Sequence, residues 1–231
     1  MTRLFVTGTD TGVGKTRIAT ALCLAYAAAG QRVSGMKPVA SGCTPTPDGL
    51  RNEDALALIG AMNVRVHYDE VNPYAFEPPI APHLAAVECG RPIDFERLDR
   101  CYERLCLRSD AVIVEGAGGF LAPLDATRTF ADLALRWRLD VVLVVGLRLG
   151  CLNHALLTVE SIERRGLRLC GWVANSVDPV FLRRDENLQA LRARIAAPCL
   201  ADVAHAPASG AQDAAQVLQA RLGELAPAPP P

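Results

Sequence analysis

The sequence predicts an α/β fold in which a doubly wound, mostly parallel sheet carries helices on both faces. Three observations point to it. Short runs rich in Val, Ile and Leu recur with few polar interruptions, as expected of strands buried on both sides. Helical patterns lie between these runs, the alternation that builds parallel sheets. A glycine-rich loop joins the first run to the first helix, and open α/β sheets bind ligands at such carboxyl-end crevices.

Taken in order, "RLFVTG" reads as the first strand and residues 15–29, alanine-rich and closed by Gly30, as the first helix. "RVSGMKPV" is a second strand and "DALALIGAM" a short helix. Residues 63–92 carry prolines at 73, 78, 79, 82 and 92 and read as a structured excursion over the carboxyl edge of the sheet. "DAVIVEGAGG", "LDVVLVVGL" and "LRLCGWVANS" are further strands, with helices expected near 94–107, 129–138, 151–165, 183–195 and 211–224. There is no internal repeat. The expectation is one domain over residues 1–224 and a disordered Pro/Ala-rich tail over 225–231, because "APAPPP" cannot pack.

Composition narrows the partners. Of 231 residues, 24 are basic and 25 acidic, and a net charge of −1 argues against a surface built to hold nucleic acid or an anionic membrane. A small ligand is expected instead. No apolar run reaches bilayer length and the N-terminus lacks the apolar core of a signal peptide, so the expected location is cytoplasmic. Eight cysteines without a CxxC pair fit reduced, mostly buried thiols. The basic residues are almost all arginine: the only lysines are Lys15 and Lys37. A chain that uses arginine for generic surface charge keeps lysine where a compact ammonium is needed, which marks both positions.

The first loop, "GTDTGVGKT", places five residues between Gly8 and Gly14-Lys15-Thr16, one more than the usual phosphate-binding loop. Gly8, Gly12 and Gly14 leave backbone N–H groups free to surround phosphate oxygens, Lys15 would reach the β- and γ-phosphates, and the Thr16 hydroxyl would ligate Mg²⁺. A dinucleotide-binding loop does not fit, because Arg17 stands where the third glycine belongs and the second strand ends in Lys37 instead of an acid. The sheet is therefore expected to be of the P-loop nucleotide-binding type. Glu115 ends the apolar "AVIVE" immediately before "GAGG", where a charge is costly unless it meets a metal or ligand; a buried structural carboxylate is the alternative. Asp54, behind Asn52 as helix cap, suits either the metal or the helix dipole. Lys37 would face the γ-phosphate, with Ser41 and Gly42 in the following turn. Arg148 is a third candidate cation or a solvated loop charge, and the helix turn Gly150 to Asn153 after it could hold a carboxylate.

The segments "FVTGTDTGVGKT", "MKPVASG", "RNEDALAL", "VNPYAFEPPIAPH", "VEGAGGFLAPL" and "LGCLNHALLT…GWVAN" together resemble the dethiobiotin synthetase family over most of residues 1–179. That family carries the longer loop. The resemblance implies ATP- and Mg²⁺-dependent joining of CO₂ to 7,8-diaminononanoate through a carbamate and a carbamic-phosphoric anhydride. It implies catalytic roles for Thr11, Lys15 and Lys37, and a metal site of Thr16, Asp54 and Glu115. Gly12, Val13, Gly14, Lys15, Thr16, Arg17, Glu115, Gly116, Ala117, Gly118 and Asn175 would bind the nucleotide. Thr11, Lys37, Ser41, Arg148, Gly150, Cys151, Leu152 and Asn153 would bind the substrate, the helix from Gly150 coming from the neighbouring subunit of a homodimer. Two departures stand out: Asn187 where some relatives place a tyrosine, and "ADVAHAP" with Ala201 and Ala204 where a Gly-x-x-Pro segment often edges the adenine.

Two other classes fit the sequence less well. ATP-driven switches that position chromosomes or septa share the sheet and loop but carry a lysine five positions before the loop lysine, and here that position is Asp10. An amidoligase of cobalamin synthesis would bring a glutamine-hydrolysing domain, for which no length remains.

Overall fold

The computed structural model describes residues 1–205 and 210–225. Of the expected tail, 226–231 lie outside the described residues. At the centre is a wholly parallel six-stranded sheet: β1 (Thr2–Gly8), β2 (Val33–Met36), β3 (Ala111–Glu115), β4 (Asp140–Leu147), β5 (Leu169–Ser176) and β6 (Cys199–Val203). Their spatial order is β6-β5-β4-β1-β3-β2, so β1 lies between β3 and β4. Chain direction across the sheet reverses there, and the loop after β1 emerges at that switch.

Side chains alternate between two faces along the central strands. Leu4, Val6, Ile113, Val142 and Val144 face a layer made by α1 (Lys15–Ala28), α2 (Glu53–Ala61) and α9 (Ala211–Gln219). Phe5, Val112 and Val114 face α4 (Pro82–Glu88), α5 (Phe95–Arg108) and α6 (Phe130–Arg136). Leu143 and Val145 face α7 (Cys151–Arg164) and α8 (Arg184–Arg192). Two apolar faces per strand explain why these segments read as continuous apolar runs.

Five of the six strands match the sequence reading; β6 does not appear in it. That edge strand is short, carries the exposed Asp202 and has a register shift between Cys199 and Ala201 against β5, so its apolar signal is weak. The last helix is also shorter than expected, giving way to a 3₁₀ turn at Leu222–Leu225.

Two local features position the site. A Cβ on Gly35 of β2 would lie 2.8 Å from Leu58 Cβ, so glycine alone lets α2 seat this closely against β2. Leu58 is fully buried there, a contact that contributes about 1.5–3 kcal/mol. The excursion after α2 is ordered as expected: α3 (Tyr68–Val71) precedes a two-residue parallel pairing of Val39–Ala40 with Tyr74–Ala75, and α4 follows.

Candidate active site

The loop after β1 is closed by glycine geometry. Gly12 and Gly14 adopt φ of 73° and 91°, and a Cβ on Gly14 would lie 2.2 Å from Asn175 Nδ2. Asn175 explains that approach: buried at the end of β5, its amide donates to the carbonyl of Val13 at 2.8 Å and so ties the loop to the far half of the sheet. Arg17, in the first turn of α1, points the same way and donates to Asn175 Oδ1 and to the Ala204 carbonyl, both at 3.4 Å.

The loop opens on a cavity of about 780 Å³ at the carboxyl edge of the sheet. Thr11, Gly12, Gly14, Lys15 and Thr16 form one wall, Lys37, Ser41 and Asp54 a second, and Glu115, Ala117 and Gly118 a third. Pro79, Ile80, Ala81 and Pro82 of the excursion close the remaining side. A hollow of about 840 Å³ lies elsewhere, where Arg3, Arg32 and Asp110 meet, but Arg32 already pairs there with Asp110 at 2.8 Å and no glycine loop faces it.

Charge is concentrated at the floor of the first cavity. Lys37 Nζ donates to Asp54 Oδ2 at 2.7 Å, to Glu115 Oε1 at 2.8 Å and to the Gly116 carbonyl at 3.1 Å. Burial alone would lower the Lys37 pKa, but Glu115 and then Asp54 outweigh it and the net shift is upward. Glu115 is pushed up by burial, which Lys37 only partly offsets. Asp54 is less enclosed, so Lys37 overcomes its burial and lowers it. Lys15 lacks a carboxylate in contact; its ammonium donates to the Asp10 carbonyl at 2.8 Å, and burial, aided by Lys37, brings its pKa down to about 8.

The Thr16 hydroxyl lies 2.7 Å from Asp54 Oδ1 and 2.8 Å from Glu115 Oε1. One hydroxyl proton can serve only one of these contacts. Glu115 Oε2 is buried with no hydrogen-bond partner. An all-oxygen donor set with more acceptors than protons fits a hard divalent cation of the Mg²⁺ type. Among the described residues no cluster of three or more His, Cys, Asp or Glu offers a rival metal site.

The family follows from comparison. A model of the AAA domain matches residues 2–213. The ATP-dependent dethiobiotin synthetase BioD of Pseudomonas paraeruginosa is 54% identical over 204 residues, 88% of this chain and 90% of that protein. That of Xanthomonas oryzae pv. oryzae is 50% identical over 215 residues, 93% of this chain and 96% of its own. The chain belongs to the dethiobiotin synthetase family. Among solved structures, the septum site-determining protein MinD of Pyrococcus horikoshii with Mg-ADP superposes with a TM-score of 0.62, covering 97% of each chain at 16% identity, a likeness of fold alone.

Other positions matched to the dethiobiotin synthetase pattern lie outside the cavity lining. Val13 and Gly116 are buried beneath it. Arg148, after β4, pairs with the carboxylate of Asp10 in the loop. Gly150, with φ of 95°, caps α7, leaving Gly150 and Asn153 exposed, Leu152 half-buried and Cys151 buried. Asn187 lies on α8 and donates to the Arg183 carbonyl at 2.7 Å. Ala201 is buried in β6 and Ala204 exposed beyond it; the segment's last two residues, 206 and 207, lie outside the described residues. The sequence reading did not identify Asp10 as the partner of Arg148, and it placed the proline-rich excursion at this edge without assigning Pro79–Pro82 to the wall. The first pairs residues far apart in the chain, and the only signal for the second was the proline-rich motif itself.

Proposed function

We propose that the protein joins CO₂ to 7,8-diaminononanoate at the expense of ATP and closes the cyclic urea of dethiobiotin, the ring-closing step of biotin biosynthesis. The observation that carries this reading is the meeting of Lys15, Thr16, Lys37, Asp54 and Glu115 in one cavity, in a chain of this family. One amine adds to CO₂ and loses a proton, giving a carbamate. A carbamate oxygen then attacks the γ-phosphorus of ATP as the bond to ADP breaks. The second amine attacks the carbonyl carbon of the mixed anhydride, releasing phosphate and a proton.

The residues divide this work. Lys37 stays protonated, because two carboxylates hold its pKa up, so it serves as a fixed cation beside the transferring phosphoryl group and not as a base. Lys15 and the N–H groups of Gly12, Val13 and Gly14 receive the phosphates. Gly116, Ala117 and Gly118 flank them, while Arg17 and Asn175 stand toward the base. Thr11 and Ser41, on facing walls, orient the diamine or carbamate. Thr16, Asp54 and Glu115 would hold Mg²⁺, which would neutralise charge on the phosphate oxygens.

The exposed start of α7 supports a homodimer in which Gly150, Cys151, Leu152 and Asn153 of a neighbouring subunit receive the substrate carboxylate near Arg148. The chain is read as one domain that extends through Leu225, one residue past the expected boundary, because that side chain is fully buried in the core. No helix of the described residues is long and apolar enough to cross a membrane, in keeping with a cytoplasmic place. ATP turnover that requires both the diamine and bicarbonate is the expected behaviour. Turnover indifferent to both would favour a nucleotide switch, a reading that Asp10 already disfavours.

A further inference from the structure

The motif "VNPYAFEPPIAPH" holds a residue that hydrogen-bonds the backbone beneath the charged floor. Asn72, 2% exposed, follows α3. Its Nδ2 donates to the Lys37 carbonyl at 2.7 Å and to the Tyr74 carbonyl at 3.2 Å, and its Oδ1 accepts from the Tyr68 hydroxyl at 3.0 Å. Both amide hydrogens go to carbonyls, which fixes the orientation of the group. The Tyr68 oxygen accepts in turn from the backbone N–H of Asn52 at 2.8 Å. Asn52 is the N-cap of α2, its side chain accepting from the Ala55 N–H, and α2 carries Asp54.

An unbroken path therefore runs from the carbonyl of Lys37 through Asn72 and Tyr68 to the start of the helix that bears Asp54. The sheet does not do this work. β2 is an edge strand that ends at Met36, and the residue after Lys37 is Pro38, which has no N–H to donate. The Lys37 N–H goes to the Val71 carbonyl at 2.8 Å, again within the excursion. The guanidinium of Arg51 covers the Tyr68 ring at 4.1 Å and holds it in place.

We propose that Tyr68 and Asn72 are positioning residues, a two-side-chain strut that sets Lys37 against Asp54 on one wall of the phosphate cavity. The proposal rests on the phosphoryl-transfer reading of that cavity. Outer partners that orient a charged site cost about 10- to 100-fold in activity or metal affinity when removed.

Tyr68→Phe removes one oxygen and leaves the ring. Its kcat should fall about 10- to 100-fold with the KM for ATP little changed, and the Mg²⁺ needed to bind a non-hydrolysable ATP analogue should rise. Asn72→Asp, the same shape without the two donors, should shift both readouts the same way. Glu70→Gln is the structural control: it weakens the contacts of α3 with Arg104 and Arg108 and leaves the strut intact, so it should lower Tm without either change. Wild-type kcat and Mg²⁺ response in Tyr68→Phe, or losses no larger than those of Glu70→Gln at equal loss of Tm, would overturn the strut. If the wild type makes no dethiobiotin, the reaction reading fails by itself, while calorimetry of Mg²⁺-dependent analogue binding still decides the strut.

Discussion

Lys37 and Glu115 form an ion pair of 2.8 Å beneath the phosphate cavity, with side chains only 4% and 1% exposed. Breaking a buried pair by removing one partner costs several times more than its net worth, because the other charge is left uncompensated. The pair is therefore held in place by more than its own attraction: Asp54, Thr16 and the Gly116 carbonyl complete it.

Lys37→Met should lower stability by about 3 kcal/mol at neutral pH and abolish turnover. The penalty should shrink in acid, where Glu115, already shifted upward, takes a proton. Lys37→Arg should fold, yet lose on the order of a hundredfold in kcat, because a planar guanidinium cannot meet both carboxylates and the reacting phosphoryl group as a compact ammonium does. Chemical denaturation and steady-state kinetics measure the two effects separately; near-normal kcat in the arginine variant would reduce Lys37 to diffuse charge.

Glu115→Gln is nearly isosteric and should leave the sheet folded. Losing one anionic oxygen beside Thr16 should raise the Mg²⁺ requirement by at least about tenfold. A magnesium titration that overlays the wild type would make Glu115 a structural carboxylate.

The fold was largely legible in the sequence, for a physical reason: strands covered on both faces, such as "AVIVE" and "VVLVV", have no polar side to blur the run. β6 escaped notice because it is an edge strand with Asp202 at the surface. In the site, Lys15 and Thr16 were marked by spacing and Lys37 by the scarcity of lysine. Tyr68 and Asn72 were not, since their main partners are backbone groups of Lys37, Tyr74 and Asn52, which no side-chain pattern announces. The Asp10–Arg148 pair depends on the parallel pairing of β1 with β4, invisible until the sheet is assembled.

Nucleotide binding should depend on pH through Lys15. In the free protein its pKa is about 8, and a bound phosphate raises it, so above that pH binding takes up a proton. The apparent Kd for ATP should be flat between about pH 7 and 8 and weaken above it, by up to about tenfold per pH unit, since the γ-phosphate, ionising near pH 6, contributes little in this range. Calorimetry in buffers of different ionisation enthalpy would detect the proton. A Kd constant through this range would mean that Lys15 does not contact the phosphates.

The proposed sharing of the site between subunits can be tested by mixing variants. Asn153→Ala and Lys37→Ala proteins, each inactive alone, should regain partial activity once subunits exchange, because one of the two composite sites in each mixed dimer is intact. No recovery, with exchange confirmed by native mass spectrometry, would place the whole site within one chain.

Coupling of ATP cleavage in this cavity to closure of a urea around one carbon from CO₂ can be followed by isotope. Purified protein supplied with ATP, Mg²⁺, diaminononanoate and ¹³C-bicarbonate should yield dethiobiotin carrying a single ¹³C, in equal amount to the ADP and phosphate released. ADP formed without labelled product, or at a rate unchanged when the diamine is left out, would contradict it.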